Sequence, residues 1–287
     1  MKWKEYLTLL RPLNCFMTSI GILIGGIVAG GLNIFSLEKL FLVLLAMSVG
    51  FLATGGGNSL NDYVDFEIDK VNHPERPLPS GRLKRDSARV YSLFLFISAF
   101  FISFLISSFC VLLAALNISL MILYELSLKK KGFSGNLTIS WLTGSVFLFG
   151  GAALYQDSLL NILGSSEILA TLVLSLLAFL SSAGREIIKD MEDIEGDKDR
   201  DTLPKKIGKK KSSFLAGGFI LTAVLLSPLP YMPFALFSWL YLVLVIPADI
   251  LFFISVSTIL KNPTFSQKMA KLAMLTALFS FFVGGIA

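Results

Sequence analysis

Nine apolar runs of spanning length, separated by short polar junctions, set the pattern of this chain. Windows of about 20 residues, enough to cross a bilayer as a helix, fall at 13 to 31, 38 to 57, 89 to 108, 110 to 128, 137 to 155, 167 to 184, 212 to 229, 232 to 256 and 268 to 286. The third and fourth runs abut, so a tight turn must join them. The pattern predicts an all-α integral membrane bundle of nine transmembrane helices, forming one unit over residues 1–287. Composition points the same way: 54% of residues are hydrophobic, only 16% are charged, and the mean hydropathy is +0.74, far above a soluble domain of this size.

Charge placement tests the count independently, because Lys and Arg collect in cytoplasmic loops. With nine spans and a cytoplasmic N-terminus, 24 of the 25 Lys and Arg residues fall on inner segments, and only Lys39 falls outside. Adding or removing one span breaks this alternation. The formal net charge of +5 then reflects topology and attraction to anionic lipid rather than nucleic acid, which is not expected as a partner. The first dozen residues lead into a full-length span with no small-residue cleavage pattern, so no cleaved signal is expected. Cys15 and Cys110 lie inside spans as apolar fillers, and the single histidine, His73, makes His-based metal or triad chemistry improbable.

Two junctions carry carboxylates in register. At about 100° per residue, Asn58, Asn61, Asp62, Asp65 and Asp69 share one face where the second run ends. Glu186, Lys189, Asp190, Asp193 and Asp197 occupy the same five phases 128 residues later, and the two stretches align without a gap as DxxDxxxD. A basic arm follows each stripe: Arg76 and Arg82 in a Pro-rich loop after the first, and Lys198, Arg200, Lys205 and Lys206 after the second. Because four spans separate the stripes, the repeat is parallel, and both stripes are expected at the cytoplasmic mouth.

A single acidic stripe is ordinarily a solvated helix face. Two in-phase copies at the ends of apolar spans are different, because bare carboxylates repel one another and are costly to desolvate there. A cation offsets that repulsion. Mg²⁺ is the expected cofactor, since it is usually held by one or two carboxylates together with substrate phosphates. Neither a P-loop nor a Gly-rich dinucleotide fingerprint is present, and the simplest ligand for carboxylates, metal and basic arms is a diphosphate with an apolar tail lodged in the bundle. Gly25, Gly26, Gly30, Gly31 and Gly55 to Gly57 are expected to let helices approach closely. A transporter of an anionic lipid or ion is the non-enzyme alternative. It calls for charge in mid-bilayer, and only Asp249 lies well inside a run, toward its cytoplasmic third, where it is expected to face inward with a polar partner. A soluble-type isoprenyl elongase with DDxxD motifs is disfavoured by the nine spans.

The segment from Asn61 to Asp69, His73-Pro-Glu-Arg76-Pro, the second motif from Asp193 to Asp197 and the nine-run pattern resemble the UbiA superfamily of intramembrane prenyltransferases over the whole chain. Within it, Arg11-Pro12-Leu13-Asn14 and Arg185-Glu-Ile-Ile-Lys189-Asp190 look most like the archaeal ether-lipid branch. The resemblance implies a helical bundle around a central cavity that opens sideways to lipid, in the cell membrane, with both motifs at its cytoplasmic end. It implies Asn61, Asp65 and Asp69 as one metal-diphosphate motif and Asp193 and Asp197 as the other, with Asp62 and Asp190 as further ligands or groups that orient them. It implies phosphate contacts for Arg11 and Arg76, with Asn14, Asn58 and Lys189 also in the substrate site. Tyr124 and Lys129 look like a Tyr and Lys pair of the family, here five residues apart rather than four. The implied reaction is Mg²⁺-dependent transfer of a geranylgeranyl group from its diphosphate to the free hydroxyl of geranylgeranylglyceryl phosphate. An aromatic acceptor is the alternative within the family.

Overall fold

The computed structural model describes residues 3–156, 165–194, 201–232 and 236–286. Among these residues every regular element is helical. A short helix α1 (Trp3–Leu10) is followed by α2 (Pro12–Gly30), α3 (Leu37–Val64), the short α4 (Phe66–Asn72), α5 (Arg85–Ser103), α6 (Ser108–Leu126), α7 (Phe133–Leu154) and α8 (Ser166–Glu192). The one-turn α9 (Leu203–Ile207), then α10 (Lys209–Leu226), α11 (Trp239–Thr258) and α12 (Pro263–Ile286) complete the chain. Each apolar run coincides with one long helix. Eight of these are long and apolar enough to cross a membrane, whereas α10, at 18 residues, opens on three lysines and falls short on charge.

Local chemistry explains the boundaries. Residues 104–107 make the tight turn demanded by the abutting third and fourth runs, and the Ser107 hydroxyl accepts from the Cys110 N–H at 3.2 Å to cap α6. Ser165 caps α8 in the same way at 3.0 Å. Pro12 takes the first position of α2, where its missing N–H costs nothing. A proline there also disfavours a right-handed helical Arg11. Arg11 adopts the left-handed conformation instead, with φ of 51°, and is the one non-glycine residue with positive φ among those described.

The interior is built by α7 and α8, whose apolar windows are 61% and 67% buried, against 17% for the peripheral α6. Helices α2 and α7 touch backbone to backbone. A Cβ on Gly25 would run into the Phe147 carbonyl, and one on Gly150 into the Ile22 carbonyl, so small residues here allow the contact expected from the glycine pattern. Between α2, α3, α6, α7 and α12 lies a cavity of about 530 Å³, lined mainly by apolar side chains such as Val49, Ala53, Ile118 and Leu142. Its liners Met17, Ile20 and Leu275 are more than half exposed, so the cavity reaches the outer apolar surface of the bundle.

Asp249 has the expected polar partner, accepting from the Ser227 hydroxyl at 2.9 Å, while Tyr241 donates to the Ser227 carbonyl at 2.7 Å. Ser227 follows α10 at the end remote from Lys209, and Asp249 stands midway along α11.

Candidate active site

The first stripe is a continuation of a membrane helix, as its phase requires. α3 runs two turns beyond its apolar window and breaks only at Asp65, yet the Asp65 N–H still reaches the Asn61 carbonyl and the Asp69 N–H the Asp65 carbonyl, both at 2.8 Å. The hydrogen-bond ladder therefore crosses the break and keeps Asn61, Asp62, Asp65 and Asp69 on one side. Glu67, off that side, is exposed and pairs with Lys70 at 2.9 Å.

Every carboxylate of this stripe is met by a cation. Arg11 pairs with Asp62, a residue only 4% exposed. Arg76 lies 2.7 Å from Asp69 and 3.6 Å from Asp62, carried over the helix by the stiff loop that follows α4. Lys129, from the single helical turn Leu128–Lys130, pairs with Asp65. Asn61 donates to Glu125 at 3.0 Å and to Asp65 at 3.2 Å, which leaves its carbonyl oxygen for other work.

Asn58 serves the site from behind, because its amide donates to the Leu10 carbonyl at 2.9 Å and ties the end of α1, and with it Arg11, to α3. Asn14 is exposed on the first turn of α2, and no hydrogen bond joins its side chain to this network among the described residues.

The second stripe closes α8. Asp190 is 8% exposed and accepts from the Asn136 amide at 2.7 Å. Asp193 caps the helix, its N–H on the Lys189 carbonyl at 3.0 Å, with its side chain exposed. Asp197 lies outside the described residues. Tyr124, Lys129, Asn136, Lys189 and Asp190 line one small polar chamber of about 70 Å³. Since Lys129 also holds Asp65, the two stripes meet at the same end of the bundle.

Three residues escaped the sequence reading. Glu125 is nearly buried and accepts from both Asn61 and Lys129, the latter at 3.3 Å; its spacing of four before Lys129 is the signal that marks it. Asn136 and Thr202 face the chamber from α7 and from the start of α9, and no spacing rule ties either to the stripes.

Among the described residues no three acidic, His or Cys side chains converge on one point. An all-protein cage is therefore absent there. Hard carboxylate and amide oxygens, flanked by Arg and Lys, instead suit an ion such as Mg²⁺ that shares its coordination with phosphate oxygens. About two to three helical turns below, Thr54 donates to Thr18 at 2.9 Å at the edge of the apolar cavity, and Trp141 donates to Asn117 at 2.9 Å.

Comparison with known proteins places this geometry. The pattern of the UbiA prenyltransferase family matches residues 19–282. A digeranylgeranylglyceryl phosphate synthase of Methanococcoides burtonii is 46% identical over 98% of this chain and 99% of its own, and one of Methanococcus aeolicus is 42% identical over 100% and 99%. A solved structure described as giving insight into digeranylgeranylglyceryl phosphate synthase in membranes superposes with a TM-score of 0.87 at 38% identity, covering 99% of both chains. A UbiA homologue of Archaeoglobus fulgidus, solved with DMAPP and Mg²⁺, shares the fold at a TM-score of 0.66 and 15% identity over 98% of this chain and 99% of that one.

Proposed function

Because the chain belongs to the UbiA prenyltransferase family, we propose that it transfers a geranylgeranyl group from geranylgeranyl diphosphate to the free hydroxyl of geranylgeranylglyceryl phosphate, making the second ether bond of an archaeal membrane lipid. The observation that carries this reading is the first acidic stripe, met by Arg11, Arg76 and Lys129 and lying at the same end of the bundle as the second, together with an apolar cavity of about 530 Å³. This polar head and dry body match a diphosphate with a long tail. The full-length similarity to synthases of that name supports the choice of acceptor over an aromatic ring.

In this reading Asn61, Asp62, Asp65, Asp69, Asp190, Asp193 and Asp197 form the metal and diphosphate site. Mg²⁺ bound there would supply positive charge to the departing diphosphate. Arg11, Arg76 and Lys129, which neutralise carboxylates in the structure, turn toward phosphate oxygens when the donor binds; the planar Arg fork suits that contact. As the C1–O bond breaks, the electron pair leaves with the diphosphate, and an allylic cation remains in the apolar cavity, where water is excluded. The acceptor hydroxyl oxygen bonds to C1 and releases its proton to a diphosphate oxygen. The bundle crosses the cell membrane nine times, α10 included, with the N-terminus and the site on the cytoplasmic side.

The test is product identification by mass after incubating purified protein with Mg²⁺, geranylgeranyl diphosphate and a panel of acceptors. A digeranylgeranylglyceryl phosphate product is expected. Product with 4-hydroxybenzoate and none with the glyceryl phosphate ether would overturn the acceptor while leaving a prenyltransferase.

A further inference from the structure

The apolar cavity has a closed end. Its wall runs along α3 from Thr54 to Val49, along α6 from Met121 to Ala114, and along α7 from Ile139 to Phe149. About one turn beyond Val49, Ala114 and Phe149 stand Ala46, Cys110 and Ala152, each with no exposure at all, and none of these three borders the cavity. The space beneath is therefore packed core. Val49, Ala114 and Phe149, exposed by only 2%, 3% and 4%, form a floor.

The opposite end points at the acidic stripes. Met121 precedes Tyr124, which lines the polar chamber, by about one turn of α6. On α3, at about 100° per residue, Asn61, Thr54 and Gly50 lie within roughly 60° of Asp65, so one helix face carries the first motif and then the cavity wall. Gly50 adds no side chain to that wall, and a Cβ there would strike the Ile22 side chain. The wall has the length of one prenyl chain. From Asp62 to Val49, α3 descends roughly 20 Å at about 1.5 Å per residue. Four extended isoprene units, with carbon–carbon bonds of about 1.5 Å, also span roughly 20 Å. A fifth unit adds roughly 5 Å and meets the floor. The sideways opening at Met17, Ile20 and Leu275 belongs to α2 and α12, whereas the floor belongs to α3, α6 and α7.

We propose that Val49, Ala114 and Phe149 set the chain length of the donor by stopping its tail at four isoprene units. The inference rests on the reading above for the donor's placement, diphosphate at the stripes and tail in the cavity, and adds what selects one donor from a series. A shorter tail leaves the floor unfilled and forfeits apolar burial. A longer one must fold back or push into a core that is already close-packed, and overpacking is costly. These three side chains act on which donor binds, not on how its bond breaks.

The experiment is calorimetric titration, with Mg²⁺ present, of unreactive thio-analogues of prenyl diphosphates with two, three, four and five isoprene units into detergent-solubilised protein. In wild type, affinity is expected to rise about tenfold or more with each unit up to four, from the apolar area that each unit buries, and to fall about tenfold at five. Ala114→Leu raises the floor, so it should weaken the four-unit analogue about tenfold and leave the two-unit analogue within about twofold of wild type. Phe149→Ala lowers the floor and should bring the five-unit analogue to at least the affinity of the four-unit one. Equal wild-type affinity for four and five units overturns the floor, and so does a wild-type profile in both variants. If Ala114→Leu loses the two-unit analogue as well, it has not folded, and Phe149→Ala together with the wild-type profile decides. Binding that peaks at four units, alongside no product with the glyceryl phosphate ether, would sink the proposed acceptor and leave the floor standing. Product with that ether but equal affinity for four and five units would do the reverse, and no binding of any analogue overturns the floor and the donor site together.

Discussion

Asp65 faces Lys129 and Asn61 at once and sits where α3 gives way to α4. Replacing a carboxylate with its amide keeps the volume and removes the charge. Asp65→Asn and Asp193→Asn are therefore expected to lower turnover at least ~100-fold, as for other key electrostatic groups, while the protein still folds. Turnover near wild type in either variant, or in EDTA, would sink the metal assignment. Glu125 acts through its neighbours, holding Lys129 and Asn61, so Glu125→Gln is expected to cost about 10-fold, typical of groups that orient metal ligands. Glu67, exposed and paired only with Lys70, should tolerate Gln without loss, and a large effect there would mean that the helical phase has been misassigned. The stripe residues were legible from sequence because phase alone puts them on one face. Glu125, Asn136 and Thr202 were not, because their roles depend on which neighbouring helix each one meets. Asn58 fits the stripe by phase, and its amide N–H also ties α3 to the Leu10 carbonyl.

At the scale of elements, the junction of α1 and α2 couples the N-terminal helix to the site. Asn58 anchors the end of α1, Pro12 starts α2, and Arg11 between them takes a left-handed backbone that presents its guanidinium to Asp62. Such a conformation costs a residue with a Cβ about 1–2 kcal/mol, whereas glycine adopts it freely. Both Arg11→Gly and Arg11→Ala remove the guanidinium and should impair turnover. They are expected to differ in stability, with the Gly variant more stable than the Ala variant by about 1 kcal/mol in detergent unfolding. An Ala variant as stable as the Gly variant would mean that the strain is absent in the folded protein. Nothing in hydropathy announces a left-handed arginine; the Arg-Pro pair marks a boundary, and only packing selects the conformer. The long helices were readable because their apolar runs exceed any soluble alternative. Their ends were less so: α3 and α8 extend past their apolar windows to carry carboxylates, since the ladder of backbone hydrogen bonds continues as far as a polar face has cations to meet.

For the whole molecule, the distribution of Lys and Arg makes a claim about orientation that the fold itself does not contain. On the proposed topology of nine crossings with a cytoplasmic N-terminus, the Pro-rich loop after α4, the turn carrying Lys129 and the end of α8 would share one side, and the connection between α2 and α3 would face outward. Both native cysteines are fully buried, so the chain is a silent background for single-cysteine labelling. Asn33 is exposed in the connection between α2 and α3, and Glu75 is exposed in the loop after α4, its side chain at 73%. With a membrane-impermeant maleimide on intact cells, Asn33→Cys is expected to label and Glu75→Cys to label only after permeabilisation. The reverse pattern would invert the molecule and put the carboxylates on the outer face. Labelling of both from outside would require an even number of crossings between positions 33 and 75, which the single long helix α3 between them does not allow, and would break the nine-span topology itself.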